Sequence, residues 1–283
     1  MQKIFSKKLF QFLAFLSVSV FAWQTLPDEY WGPNKALNPH AITEFITTIL
    51  LISALGKFSI YLLGTRYGLI FTGLIGGFAS STATIYSMGV ANQRDETAHS
   101  GAVLGAILSN VSTLMQIFLL CQLLAPQLTL LSLKPIAAGI ATIMLGSFLA
   151  FHKLKKREEI QQLSTLDSEI VDWKSLLVLT FVVTSISFMS GMLFSKFGSA
   201  ALPLIAAISG LADAHAVIPS LAAFVNQGTL EPKDALLPMM IAFTVNTCTK
   251  CLISFHAGGK TFGFKVSAGL ALTAAGAWLG LIF

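Results

Sequence analysis

Nine apolar stretches dominate this chain, at about 9–25, 43–64, 68–91, 99–124, 135–151, 174–194, 198–226, 234–256 and 263–282. Most reach or approach the ~20 residues that a helix needs to cross a bilayer. Inside hydrocarbon every backbone N–H and C=O must find a partner within the segment, so the stretches read as helices. Only 11% of the 283 residues are charged and 54% are hydrophobic, against roughly 25% charged in soluble domains. The chain therefore reads as an all-α polytopic membrane protein. Its formal charge of +5 is then a matter of orientation and not of nucleic-acid binding, because surplus Lys and Arg decide which loops stay inside.

The opening stretch has a basic head, Lys3, Lys7 and Lys8, followed by an apolar run that ends in Trp23 and Gln24. No small-x-small cleavage site follows, so it reads as a retained first span with a cytoplasmic N-terminus. Cys248 and Cys251 have the spacing of a redox or zinc pair. They lie inside an apolar segment without a second Cys/His pair, and so read as small packing residues. There is no phosphate-binding loop, dinucleotide fingerprint or HExxH motif in the chain, so nucleotide-driven pumping would need a second chain.

A polar linker at 152–174 divides the sequence into halves that repeat one another in order. The first half carries "YGLIFTGLIGGFASSTATIYSMGVANQ", a short charged loop and a helix with Asn110. The second carries "FGSAALPLIAAISGLADAHAVIPSLAAFVNQ", another short charged loop and a helix with Asn246. The two Asn are 136 positions apart, and the clusters Ser80-Ser81-Thr82 and Asp213-x-His215 about 133. An internal duplication of this kind is common in secondary transporters.

Charge selects the topology. If all nine stretches cross, the loops hold eight basic residues on each side, and the linker with Lys153, Lys155, Lys156 and Arg157 falls outside. If 68–92 and 198–227 are instead re-entrant hairpins, the inside holds twelve basic residues and the outside four, namely Lys35, Lys134, Lys196 and Lys233. The positive-inside bias selects the second arrangement. It gives about seven full spans plus two hairpins, with the halves inverted relative to one another. The parts are then 1–42 (first span and an external GP/NP loop), 43–151 (first repeat), 152–173 (cytoplasmic linker) and 174–283 (second repeat). Nine simple spans remain the alternative.

The hairpins would turn at polar, Gly-rich centres. Ionisable groups at such depth cost several kcal/mol and so face cavities or partners. The candidate substrate-binding set is Ser80, Ser81, Thr82, Asn110, Asp213, His215, Asn246 and Lys250. Hydroxyls, amides and the N–H groups of broken helix ends can together replace the hydration shell of a small ion or anion. Asp213 is a candidate cation ligand or proton carrier, and His215, which titrates near neutral pH when unperturbed, a candidate partner in proton coupling. On a regular helix two positions apart, however, the pair need not face the same way. Lys250 lies one helical turn after Asn246, where it can contact solute or neutralise Asp213.

Four further segments carry a resemblance: "LPDEYWGPNKALNPHAI", "SALGKFSIYLLGTRYGLIFTGLIGGFASSTAT", "SGLADAHAV" and "NTCTK". In this order they resemble the bacterial membrane domain of unknown function that is often fused behind an MgtC/SapB-type domain. The likeness covers about residues 24–283 and implies a bacterial inner-membrane protein. It implies no catalytic residues, and the MgtC-like domain itself has no counterpart in this sequence.

The expectation is a secondary active transporter that is not an enzyme. It would move a small ion or polar solute by alternating access between the Ser80–Thr82 and Asp213 tips. It needs no cofactor beyond Na+ or H+ as coupling ion, and a homodimer is compatible with it. The competing readings are an ion channel and an accessory or sensor protein that regulates a partner. An intramembrane hydrolase is the weakest reading, because Ser209 has nothing to activate it as a nucleophile.

Overall fold

The computed structural model describes residues 2–63, 68–94, 99–151 and 173–283. All the long elements among them are helices: α1 (Gln2–Thr25), α2 (Pro39–Leu63), α3 (Gly68–Arg94), α4 (His99–Leu124), α5 (Pro126–Phe151), α6 (Trp173–Phe197), α7 (Leu202–Ala212), α8 (Ile218–Asn226) and α9 (Leu236–Ile282). Five helical stretches among the described residues are long and apolar enough to cross a membrane. The basic linker expected at 152–173 falls almost entirely outside the described residues.

The side chains are sorted as lipid requires. Leu130, Phe181 and Leu252 are 80%, 73% and 72% exposed, while Ser109, Asn110, Ser112 and Thr113 are fully buried. A soluble protein inverts that order, since large apolar patches facing water drive association. Small polar residues inside a helix bundle are what membrane interfaces use for close approach and hydrogen bonding. The chain has the build of a membrane protein.

The helices divide into two compact units. The first takes residues 1–54, 119–131 and 168–242. Here Asn38 caps α2, its Oδ1 accepting from the Ala41 N–H at 3.0 Å while its amide donates to Asp28 Oδ1 at 2.7 Å. Pro39 follows at the first helical position, where its missing N–H costs nothing. These two residues are the "NP" of the sequence. Gly32, the glycine of "GP", has φ 75° and ψ −168°, a region essentially reserved for glycine. The loop it turns packs onto α6, where Gly191 leaves no room for a Cβ beside the Pro33 carbonyl.

In the same unit α7 follows α6 after the four-residue turn Gly198–Ala201 and packs back on it. The α8 helix packs on α6 as well: Ser220 meets Ser187 at 3.3 Å, and the Phe224 and Phe194 rings stack at 4.3 Å. Those two contacts advance in the same direction along both helices. Hence α8 runs with α6, α7 runs against it, and the chain reverses between 212 and 218.

The second unit takes residues 55–118, 132–167 and 243–283. Its α3 is not one straight helix, because Ser80 is extended (φ −171°, ψ 108°). A methyl group on Gly105 of α4 would lie 2.5 Å from the Leu69 carbonyl oxygen and 3.2 Å from Met88 Cε. Leu69 and Met88 would stand about 28 Å apart on a continuous helix at 1.5 Å per residue. Both reach Gly105 because the chain doubles back at Ser80. The stretch 68–79 uses Gly73 and Gly77, one turn apart, to approach Gly105 and Ser109 of α4, which are equally spaced. This is the small-residue contact typical of membrane helices.

The long α9 is likewise two helices. Gly259 has φ 76° and ψ −178°, and across it Phe255 packs edge-on to Phe264 at 5.1 Å while Trp278 Nε1 donates to Thr244 at 2.9 Å. The pairs 255/264 and 244/278 nest, so the two halves are antiparallel. This agrees with the separate segments 234–256 and 263–282 read from the sequence.

Candidate polar sites at the helix breaks

Both polar clusters singled out in the sequence lie at helix interruptions. Ser80 and Asp213, 133 positions apart, are both extended, Asp213 at φ −161° and ψ 143°. Each caps the turn that follows. Ser80 Oγ accepts from the Ala83 N–H at 3.2 Å, and Asp213 Oδ1 accepts from the His215 N–H at 2.7 Å. Ser, Asp and Asn favour such positions because their side chains substitute for the missing backbone acceptor.

In the first unit, His215 Nδ1 also lies 2.5 Å from Asp213 Oδ1. The expectation that the two need not face alike assumed a regular helix; the extended backbone at 213 removes that assumption and brings them together. His215 is buried and its Nε2 has no hydrogen-bond partner, nor has the buried hydroxyl of Ser209. An imidazole oriented by a carboxylate through Nδ1 holds Nε2 for whatever lies beyond it.

In the second unit, the break at Ser80 frees the Phe78 carbonyl, whose helical partner at 82 lies beyond it, and Gln116 of α4 donates to it at 2.9 Å; Ser112 donates to the Leu74 carbonyl at 2.6 Å. Between the same helices and α9 runs a chain of side-chain bonds. Lys250 Nζ donates to Asn110 Oδ1 and to Thr113 Oγ1, both at 2.9 Å, and Thr113 Oγ1 donates to Ser81 Oγ at 3.0 Å. Lys250 is 1% exposed and Asn110 fully buried, and the Asn110 Nδ2 has no hydrogen-bond partner. An ammonium in such a place requires close oxygen partners, since uncompensated burial of charge is prohibitive.

Of the eight candidates, the structure joins Ser81, Asn110 and Lys250 in one network and Asp213 with His215 in another. Ser80 is exposed at the break, Thr82 is half-buried, and Asn246 is buried one turn before Lys250. Thr113, the centre of the network, was not among the eight, nor were Ser112 and Gln116. The signal was available for Thr113: both halves carry N-x-x-T, at 110–113 and at 246–249. Among the described residues no group of three or more His, Cys, Asp or Glu is placed to hold a metal ion.

An apolar exterior, small polar side chains buried among the helices and polar helix breaks are the build of a helical membrane protein. The family model for a domain of unknown function (DUF4010) matches residues 48–258, about three quarters of the chain, and the chain belongs to that family. No curated protein and no solved structure matches it.

Proposed function

We propose that this protein is a secondary active transporter, and not an enzyme, that moves a small ion or polar solute by alternating access, coupled to H+ or Na+. The observation that carries the reading is the buried network Lys250–Asn110–Thr113–Ser81 beside a broken helix. Polar side chains and freed backbone groups at interrupted helices are how such transporters hold their cargo within the membrane. On this reading 68–92 and 198–227 are re-entrant hairpins. The shared contact of Leu69 and Met88 with Gly105, and the opposed directions of α7 and α8, support it. The inverted repeat rests on the twelve-to-four distribution of basic residues. The bacterial inner membrane, with a cytoplasmic N-terminus, is the setting implied by the resemblance to MgtC/SapB-associated membrane domains and by the basic head of α1.

Two measurements test it. Single cysteines at Gln93 and Glu231, both exposed, in a chain without native cysteines, should label from opposite sides of the membrane: Gln93 from the cytoplasm, Glu231 from outside. Labelling of both Gln93 and Glu231 only from outside would mean nine simple spans. Substrate uptake into proteoliposomes should be lost in Lys250→Met and in Asp213→Asn; undiminished uptake in both sinks the proposed site.

A further inference from the structure

The direction of each hydrogen bond in the Lys250 network settles what the network can still offer. An ammonium only donates, so Lys250 consumes the carbonyl oxygen of Asn110 and a lone pair of Thr113. Its oxygen thus turned to Lys250, Asn110 keeps its N–H groups, and these are buried without a partner. With Lys250 donating to it, Thr113 turns its own proton to Ser81, whose oxygen accepts it. Ser81 is then left with a proton to give. Asn110 and Ser81 thus both keep protons to donate, beside a fixed ammonium. A cation seeks the reverse, a ring of oxygens with free lone pairs.

The same end of the network adjoins the break at Ser80, where the helix 81–94 begins. First-turn N–H groups there add positive potential, and the Ser80 hydroxyl takes up only the Ala83 N–H. The buried Asn110 N–H groups, beside an ammonium and a helix start, favour a negatively charged acceptor over a neutral one.

We propose that Asn110, Ser81 and Lys250, with Thr113 relaying between them, bind a small carboxylate or other oxyanion, so that the cargo of this protein is an anion. The assignment rests on the transporter reading and names its substrate class. Lys250 holds Asn110 in the orientation that aims its N–H groups at the anion; Thr113 does the same for Ser81. Both Asn110 and Lys250 are closed off in this conformation, so the anion enters when the half-helix beginning at Ser81 shifts.

The test uses the full chain in lipid nanodiscs, with sodium salts of acetate, malonate and sulfate compared with sodium chloride at equal ionic strength. At least one oxyanion is expected to raise the melting temperature in a saturable way. Asn110→Asp retains the oxygen that Lys250 needs but replaces the free N–H groups with a second acceptor. It should weaken that anion at least about tenfold, the loss expected for one hydrogen bond to a charged group. If Asn110→Asp does not fold, Ser81→Ala removes the other donor and should weaken the same anion in the same sense. Wild-type affinity in the variants overturns the proposal. So does the absence of any oxyanion effect beside a clear response to Na+ against choline, which leaves a cation transporter standing. Saturable anion binding with no flux in proteoliposomes does the opposite: it retains the anion site and removes the transport reading.

Discussion

Asn226 donates its side-chain amide to the carbonyl of Leu124 at 2.8 Å, closing the last turn of α4. In the other unit Asn92 donates to the carbonyl of Gly258 at 3.4 Å, closing the first half of α9. An offset of 134 positions carries Asn92 onto Asn226 and Leu124 onto Gly258. Each half of the chain thus ties off a helix end that belongs to the other half, as a duplicated chain with exchanged partners would. Orphan carbonyls at a helix end need such partners when water is excluded. Asn226→Leu should therefore cost about 1 kcal/mol, in the range measured for interhelical bonds in membranes. Asn92→Leu, which loses the longer bond, should cost less. Reversible unfolding of the reconstituted protein compares the two; equal costs, or a larger one at Asn92, contradict the ranking.

Gly105 is where both arms of α3 meet α4. A Cβ there has no room beside the Leu69 backbone, so Gly105→Ala should destabilise by about 1–3 kcal/mol, as overpacking does. Gly146, whose added methyl would meet nothing closer than Leu272 at 3.5 Å, is the control. Gly146→Ala should be neutral or gain up to about 1 kcal/mol from helix propensity. Thermal denaturation in one lipid composition is sufficient, and a Gly105→Ala protein as stable as Gly146→Ala would show that α3 and α4 do not approach so closely.

Gly259 has open space around it, with no atom within 4 Å of an added Cβ, yet its φ of 76° with ψ −178° belongs to glycine. Gly259→Ala should cost about 1–3 kcal/mol from backbone strain alone. A stability indistinguishable from wild type would mean that the two halves of α9 are joined in some other conformation.

Thr113→Val keeps the shape and removes the hydroxyl that accepts from Lys250 and donates to Ser81. Leaving buried polar partners unmatched should cost about 1–3 kcal/mol, and Thr113→Ser should restore most of it. Failure of serine to rescue would indicate that the methyl, through packing, is what matters at 113.

The turn that Asp213 caps and its proposed part in transport can be separated by mutation. Asp213→Asn retains a side-chain oxygen to cap the turn, so stability should stay within about 0.5 kcal/mol, whereas Asp213→Ala should lose about 1 kcal/mol with the cap. Uptake should fall in both, because neither leaves a carboxylate beside His215. Uptake that followed stability, intact in Asp213→Asn and impaired only in Asp213→Ala, would assign Asp213 a structural role.

All-helical character and the approximate bounds of most helices were legible in the sequence. The bilayer makes them one-dimensional: length and hydropathy decide where a helix crosses, and basic residues decide how it is oriented. The NP and GP pairs were likewise visible as turn chemistry. The breaks at Ser80, Asp213 and Gly259 were only partly so, because glycine and small polar residues are also ordinary packing residues in membrane helices. Tertiary structure decided the rest. Lys250 reads from the sequence as a companion for Asp213, but its bonds to Asn110 and Thr113 depend on α3, α4 and α9 meeting, and no local pattern encodes that. His215 faces Asp213 because the backbone is extended at 213, whereas helical periodicity would have turned it away. A hydrogen-bond network is fixed by where residues 137 or 140 positions apart come to rest. That depends on close packing around Gly73, Gly77 and Gly105, whose role shows only once their neighbours are in place.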